Sequence, residues 1–346
     1  MNFQGQHRRA IEEADAIDAD AQAAGVPQAG RKRSRYAWLG TLASAALFIV
    51  SVVVLWHLSQ DITWAQLQAA MAATTGRQFT IAFGFVVVSY LFLTGYDALA
   101  LRQLRIKVPY GVTALASFTS YAVSFTLGFA LFTAGTIRYW IYSRHGLSAS
   151  KIAALTVIAG FTFWLGMGVV LGLSLIIEAG QLAGLAFTSI RINQGVGLAA
   201  LAAVLAYLAW VSAKRRSVTV KHWRLELPGA SVSIGQMIVG IGDVCAAAAV
   251  LYVLMPADLG LGFTTFLAIY VLAAMLGIAS NVPGGAGVFE STVLIALSYL
   301  PREHVLGSLL LFRVCYYLVP FAVALLMLGV HAVATRGRGT GGDPGR

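Results

Sequence analysis

An apolar run from Phe263 to Leu300 is interrupted near its middle by Gly277–Glu290, which reads Gly-Ile-Ala-Ser-Asn-Val-Pro-Gly-Gly-Ala-Gly-Val-Phe-Glu. In a water-soluble chain this would be an ordinary turn. In hydrocarbon, the backbone groups freed by Pro283 and Gly284-Gly285 find no water and must be buried in protein or face a wet cavity. The chain is 58% hydrophobic and 11% charged, against about 25% charged in a soluble domain, so hydrocarbon is the setting to reason from. Two readings of the break stand side by side. It is a tight loop between two spans, or a broken helix of the kind around which transporters build binding sites.

Residues 1–35 read as a cytoplasmic tail, acidic and Ala-rich and then basic at Arg31-Lys32-Arg33-Ser34-Arg35. The run from Tyr36 to Leu58 is long enough for a first span, a surface helix follows over Asp61–Ala73, and a second span at about 78–101 ends against Arg102, Arg105 and Lys107. Topology turns on Pro109–Arg138. If that segment crosses the membrane, Lys and Arg divide into 11 inside and 12 outside; if it returns as a hairpin, 20 lie inside and three (Arg77, Arg191, Arg302) outside, with Arg313 in a span. The positive-inside rule selects the hairpin, with breaks expected at Gly128 and at Thr133-Ala-Gly-Thr136.

Further spans fall at about 152–177, 194–213, 229–254 and 304–335, with a basic inner loop over 214–227, and 262–300 forms a second hairpin entering from outside. The sequence thus predicts an all-α polytopic membrane protein: a membrane domain over 36–335 with about six full transmembrane helices and two re-entrant broken-helix hairpins, both termini cytoplasmic, and a second tail at 336–346. One hairpin from each side is what an inverted-topology repeat produces. No residue-by-residue repeat is visible.

An ionisable residue at a helix centre costs roughly 2.5–3.5 kcal/mol on insertion scales, so those retained in spans are functional candidates. The set is Asp97, Asp243, Glu290 and Arg313, with Arg138 at the end of a hairpin. Glu290 falls in the first turn after Gly287, where the positive end of a helix dipole favours a carboxylate. These residues either form buried ion pairs that fix helix register or bind a ligand. In the ligand reading, Arg138, Arg313 and the amides of Gly284, Gly285 and Gly287 hold a lipid phosphate, Asp243 and Glu290 hold a cationic head group, and Asn281 sits just before the break. Asp97 reads as an interfacial partner of Arg102 or Arg105.

The six histidines are scattered without ligand spacing, so neither a metal nor a cofactor is expected. Gly284-Gly285-Ala286-Gly287 lacks the Lys-Ser/Thr and the preceding strand of a nucleotide loop. The net charge of +10 is carried by clusters flanking apolar runs, which is an orientation signal rather than a nucleic-acid surface. Cys245 and Cys315 lie in apolar segments with no partner spacing.

Three blocks carry a family likeness. The first is Tyr121–Ser148, with Gly128-Phe129, Gly135, Arg138-Tyr139 and Ile141-Tyr142 before Gly146-Leu147-Ser148. The second is Gly242-Asp243 followed by Val250-Leu251-Tyr252 and Met255-Pro256; the third is Ser280–Glu290 followed by Leu311-Phe312-Arg313 and Tyr316-Tyr317-Leu318-Val319-Pro320. Over about 36–335 the chain resembles the transmembrane flippase domain of lysylphosphatidylglycerol synthases, the multiple peptide resistance factor family, and its stand-alone bacterial relatives. It departs at Asn281, where members often have His, at Ala286, often Leu, and at Val244, usually aromatic. Asn cannot titrate, which removes position 281 from any proton relay.

The resemblance implies a translocase of the bacterial inner membrane that moves an aminoacyl-phosphatidylglycerol-like phospholipid through a midplane site between the two breaks. Larger members continue into further spans and a soluble aminoacyl transferase domain beyond the point where this chain stops, so lipid-lysylating chemistry is expected to be absent. Two other classes stay open. One is a membrane-embedded lipid head-group transferase with Asp243 and Glu290 as acid and base; the other is a non-catalytic partner of a separate lipid-modifying enzyme. A second copy of the chain is a further partner compatible with the sequence.

Overall fold

The computed structural model describes residues 62–339 apart from Phe129, Asp258, Asn281 and the stretches 186–188, 214–216, 221–222 and 227–228, together with Val53, Trp56 and Gln60. The predicted N-terminal tail and, but for Val53 and Trp56, the predicted first span lie outside the described residues.

Two Thr-x-x-Gln boxes set the first helices. Thr63 N–H donates to Gln66 Oε1 at 2.8 Å and Gln66 N–H to Thr63 Oγ1 at 3.3 Å, opening α1 (Trp64–Ala72). Thr75 and Gln78 repeat the exchange and open α2 (Gly76–Gln103). Each box satisfies two of the amide groups that a helix start leaves without a partner. At the other end of α2 the Ile106 N–H closes back on the Leu101 carbonyl at 2.9 Å, with Arg105 in the left-handed region at φ 55°. Pro109 then caps α3 (Tyr110–Leu127).

Gly128 separates α3 from α4 (Ala130–Tyr142). There the structure corrects the sequence reading. The Thr133–Thr136 stretch is helical, its hydroxyls folded onto the carbonyls of Gly128 (2.9 Å) and Phe132 (2.8 Å), so the hairpin breaks at Gly128 and not again at Thr133–Thr136. A short 3-10 turn leads to α5 (Ala149–Ile177), α6 (Ala179–Leu185) and α7 (Ile190–Ala213). The loop read as simply basic carries a β-hairpin, β1 (Ser217–Val220) against β2 (Trp223–Glu226), with Val218 opposite Leu225. The second half runs through α8 (Ala230–Leu254), α9 (Phe263–Ala279), a 3-10 turn at Pro283–Gly285 and α10 (Val288–Ala296). It ends in α11 (Arg302–Phe312) and α12 (Val319–Gly339), joined by a π-helical turn at Arg313–Leu318 that the sequence reading ran through as plain helix.

Among the described residues five stretches are long and apolar enough to cross a bilayer: Gly76–Gln103, Ala149–Ile177, Ile190–Val211, Ser231–Leu254 and Arg302–Val333. At 1.5 Å per residue the shortest reaches about 33 Å, against a hydrocarbon thickness of about 30 Å. The chain is an all-α polytopic membrane protein. Each half of the described core pairs a long helix with a helix-break-helix unit: α2 with α3/α4, and α8 with α9/α10.

Between apolar helices in lipid there is little hydrophobic drive, so close backbone approach at small residues decides the packing. A Cβ at Gly95 on α2 would stand 3.1 Å from Val239 on α8, and one at Gly240 would stand 2.7 Å from the Thr162 carbonyl of α5. The second contact is backbone and has nowhere to move. Gly240→Val is therefore expected to destabilise the protein by about 1–3 kcal/mol through overpacking, read as a lower melting temperature in detergent. Gly84→Val, with open space around its Cα, is expected to leave the melting temperature nearly unchanged.

Candidate functional site

Among the described residues five ionisable side chains of the sequence-derived set sit in the helical core, and the structure sorts them into two ion pairs and one remaining carboxyl. Asp97 of α2 and Arg138 of α4 are 0% and 1% exposed. Arg138 Nε donates to Asp97 Oδ2 at 3.0 Å and Nη2 to Oδ1 at 2.6 Å, a bidentate pair that Tyr142 OH completes at 3.1 Å. The guanidinium also lies over the Tyr121 ring, 4.9 Å from its centre. The expectation that Asp97 serves Arg102 or Arg105 is thus corrected: the hairpin folds α4 back on α2, and Arg138 takes the carboxylate.

The second pair ties the Pro-Gly-Gly break together. Arg313, at the start of the π-helical turn, donates from Nε to Glu290 Oε1 at 2.6 Å and from Nη1 to the Gly284 carbonyl at 2.7 Å. Glu290 Oε2 accepts the Gly287 N–H at 2.8 Å, as its place in the first turn of α10 predicts. One guanidinium therefore holds the break, the helix after it and the last long helix in a single arrangement.

Gly284, Gly285 and Gly287 all have φ between 59° and 82°, a region that L side chains rarely adopt. Gly285 is also pressed against Gly277, since a Cβ there would meet Gly277 Cα at 2.9 Å. Their amides are less free than the sequence reading required. Gly285 N–H goes to the Val282 carbonyl at 2.9 Å, Ala286 N–H to Pro283 at 3.2 Å, and Gly287 N–H to Glu290. Asn281 lies outside the described residues.

Asp243, 3% exposed on α8, pairs with neither arginine. Ser89 Oγ donates to its Oδ1 at 2.6 Å and Tyr96 OH to its Oδ2 at 2.8 Å, while Tyr316 OH shares a hydrogen bond with Ser89 at 2.8 Å. Sequence reading missed Ser89 and Tyr96. A signal was present, because positions seven apart on a helix lie on one face, and that face of α2 carries both.

The two breaks meet. A Cβ on Gly128 would lie 2.8 Å from Pro283 Cα, and one on Gly284 would lie 3.1 Å from the Phe125 carbonyl. Beside this contact is a cavity of about 510 Å³ bounded by Gly128 and Phe125 from the first unit and Val282, Gly284 and Gly285 from the second. Arg138 and Asp243 line it; Glu290 and Arg313 do not, though Arg313 holds the carbonyl of Gly284, which does. Its rim includes Phe132, Trp164 and Ile278, which are 71%, 46% and 45% exposed on α4, α5 and α9. Its aromatic walls suit apolar chains and cations, and its one carboxyl side chain, Asp243, has no ion-pair partner among the described residues. Among the described residues no cluster of three or more metal-ligating side chains occurs.

Residues 42–324 match the family described as the lysylphosphatidylglycerol synthase TM region. The chain belongs to this family. An uncharacterised protein of Synechocystis is 33% identical over 286 residues, covering 82% of this chain and 89% of that protein. The inner membrane protein YbhN of Escherichia coli is 28% identical, covering 81% and 88%. A phosphatidylglycerol lysyltransferase of Staphylococcus aureus is 26% identical over 82% of this chain but only 33% of its own length. The match to the family takes in both helix-break-helix units and every charged residue of the core.

Proposed function

We propose that the chain is a phospholipid translocase of a bacterial inner membrane, moving a polar head group of aminoacyl-phosphatidylglycerol type through the cavity between the two breaks. One observation carries this reading: both chain breaks bound the same cavity, and that cavity holds a carboxylate with no basic partner among the described residues. The likeness to phosphatidylglycerol lysyltransferases, of which the chain spans about a third, supports the choice of head group. A cationic group docks at Asp243. The phosphate sits at the Gly284–Gly285 end, in the field of Arg313 behind the break. Acyl chains stay in the bilayer and pass the exposed rim at Phe132, Trp164 and Ile278, so they never leave apolar surroundings.

In this reading the two helix-break-helix units are re-entrant, one from each face, and both termini are cytoplasmic. The distribution of 20 basic residues to three supports it. Cysteines introduced at Ser148 and Ser217 are expected to react with a membrane-impermeant label only from the cytoplasmic side. Reaction of either from the outside would place α3/α4 across the membrane and end the re-entrant arrangement.

The activity itself is tested by reconstitution. Vesicles carrying the protein and a fluorescent lysyl-phosphatidylglycerol are expected to exchange that lipid between leaflets faster than protein-free vesicles. Asp243→Asn is expected to remove most of the gain while leaving the melting temperature close to that of the parent, because the amide oxygen still accepts from one of the Ser89 and Tyr96 hydroxyls and its NH2 donates to the other. Equal exchange with and without protein would overturn the translocase assignment.

A further inference from the structure

Among the described residues the core charges do not balance if every carboxyl is ionised. Asp97 is matched by Arg138 and Glu290 by Arg313, which leaves Asp243. The groups near it on each packed element are phenols or already paired: Tyr90 and Tyr96 on α2, Tyr121 on α3, Arg138 on α4 held by Asp97, Tyr270 on α9, Glu290 on α10 held by Arg313, and Tyr316 and Tyr317 on the π-helical turn. Cys245 lies on its own helix. Phenols titrate near pH 10 and are neutral under ordinary conditions. An ionised Asp243 would thus give the core one uncompensated negative charge.

Two hydroxyl donors do not cancel that charge, and an uncompensated charge at mid-helix is costly to hold in a membrane. The carboxylate is neutral when it holds a proton or when a cation stands against it. Each carboxylate oxygen accepts about two hydrogen bonds, and among the described residues one donor reaches each, from Ser89 and Tyr96, so acceptor capacity remains on a side chain that lines the cavity. The walls offer rings at Tyr121, Phe125 and Tyr316, whose faces attract cations and not anions.

We propose that the cavity binds an organic ammonium group against Asp243 in exchange for one proton. On binding, the Oδ–H bond of Asp243 breaks and its proton leaves to water, while the ammonium keeps its own protons and donates one N–H to the freed carboxylate. The net charge of the core is the same before and after. The inference takes its ligand, a lipid head group, from the translocase reading, and goes beyond it by tying head-group capture to proton release. A free amine carries the same chemistry, so the source is left to the test.

Purified protein in weakly buffered detergent with a pH-indicator dye is titrated with lysyl-phosphatidylglycerol, with phosphatidylglycerol, and with free lysine amide. The expected result is release of about one proton per bound lysyl lipid, with apparent affinity falling about tenfold per pH unit on the acid side. Phosphatidylglycerol should release none. Asp243→Glu should keep the release and Asp243→Asn should lose it. Binding of the lysyl lipid without proton release overturns the exchange and leaves the translocase reading standing. Release with lysine amide but not with the lipid supports the exchange and overturns the lipid reading. Binding of neither overturns both, and since the proton count is made on the parent protein, an unstable variant does not blur the outcome.

Discussion

Arg138→Ala is expected to destabilise the protein by about 3–5 kcal/mol, because it leaves a buried carboxylate with its charge uncompensated. Asp97 is 0% exposed and would keep only the Tyr142 hydroxyl among the contacts described here. The same change removes the strut between α2 and the second limb of the first hairpin, so α4 should loosen along with it. Replacing both partners by apolar residues, Asp97→Leu with Arg138→Met, should be far milder than the single change, since a buried pair exchanged for well-packed hydrophobes is often neutral or better. Arg191→Ala, exposed at the start of α7, should stay within about 0.5 kcal/mol. Melting temperatures in detergent for these variants decide the matter. If Arg138→Ala melts like Arg191→Ala, or if the double variant is as unstable as the single, the pair does not hold the hairpin to α2.

What the sequence disclosed about this fold was local in origin. Gly128 and Pro283-Gly284-Gly285 marked the breaks because glycine alone takes positive φ cheaply and proline cannot continue a helix, whereas the Thr-x-x-Gln boxes that start α1 and α2, legible in four residues each, went unread. The π-helical turn at 313–318 carries neither Pro nor Gly and was not legible, since its extra residue is accommodated by packing rather than by propensity. The partner of Asp97 was not legible either. It lies 41 residues away and meets Asp97 only after the chain reverses at Gly128. Helical geometry did carry a warning, because Arg102 is five positions from Asp97 and side chains face each other at three or four.

Glu290 shows how a site expectation changes once its neighbours are known. From sequence, a carboxylate after a Gly-rich break looks free to meet a cationic head group, and Glu290→Gln looks like a clean probe of binding. In the structure its two oxygens are divided between Arg313 and the Gly287 amide. A glutamine would turn an NH2 toward one of those donors and leave the Arg313 charge unmatched, so the change tests folding as much as binding. Asp243 is the better probe. Its contacts are both hydroxyls, which donate to an amide oxygen or accept from an amide nitrogen.

If the chain is the translocase proposed above, Gly128→Ala is expected to damage stability and transport together, and it tests whether the two breaks operate as one device. Gly128 has φ 77° and ψ −168°, a region essentially reserved for glycine, where a side chain costs on the order of 1–3 kcal/mol in strain alone. The added methyl would also sit 2.8 Å from Pro283 Cα. Because the nearest atom is backbone, the second hairpin must move as a body for the methyl to fit, and with it the Gly284 carbonyl that anchors Arg313. Pro283→Ala in the same chain removes Cγ, 3.4 Å off, but keeps Cα and Cβ at 2.8 and 3.2 Å, and should restore little. Gly135→Ala is the matched control. It lies inside α4 with open space around it, so it should stabilise by about 0.5–1 kcal/mol through helix propensity and transport normally. Leaflet exchange is measured at a temperature where all variants remain folded. If Gly128→Ala exchanges lipid at the parental rate under those conditions, contact between the breaks is scaffolding, and the path of the head group does not depend on it.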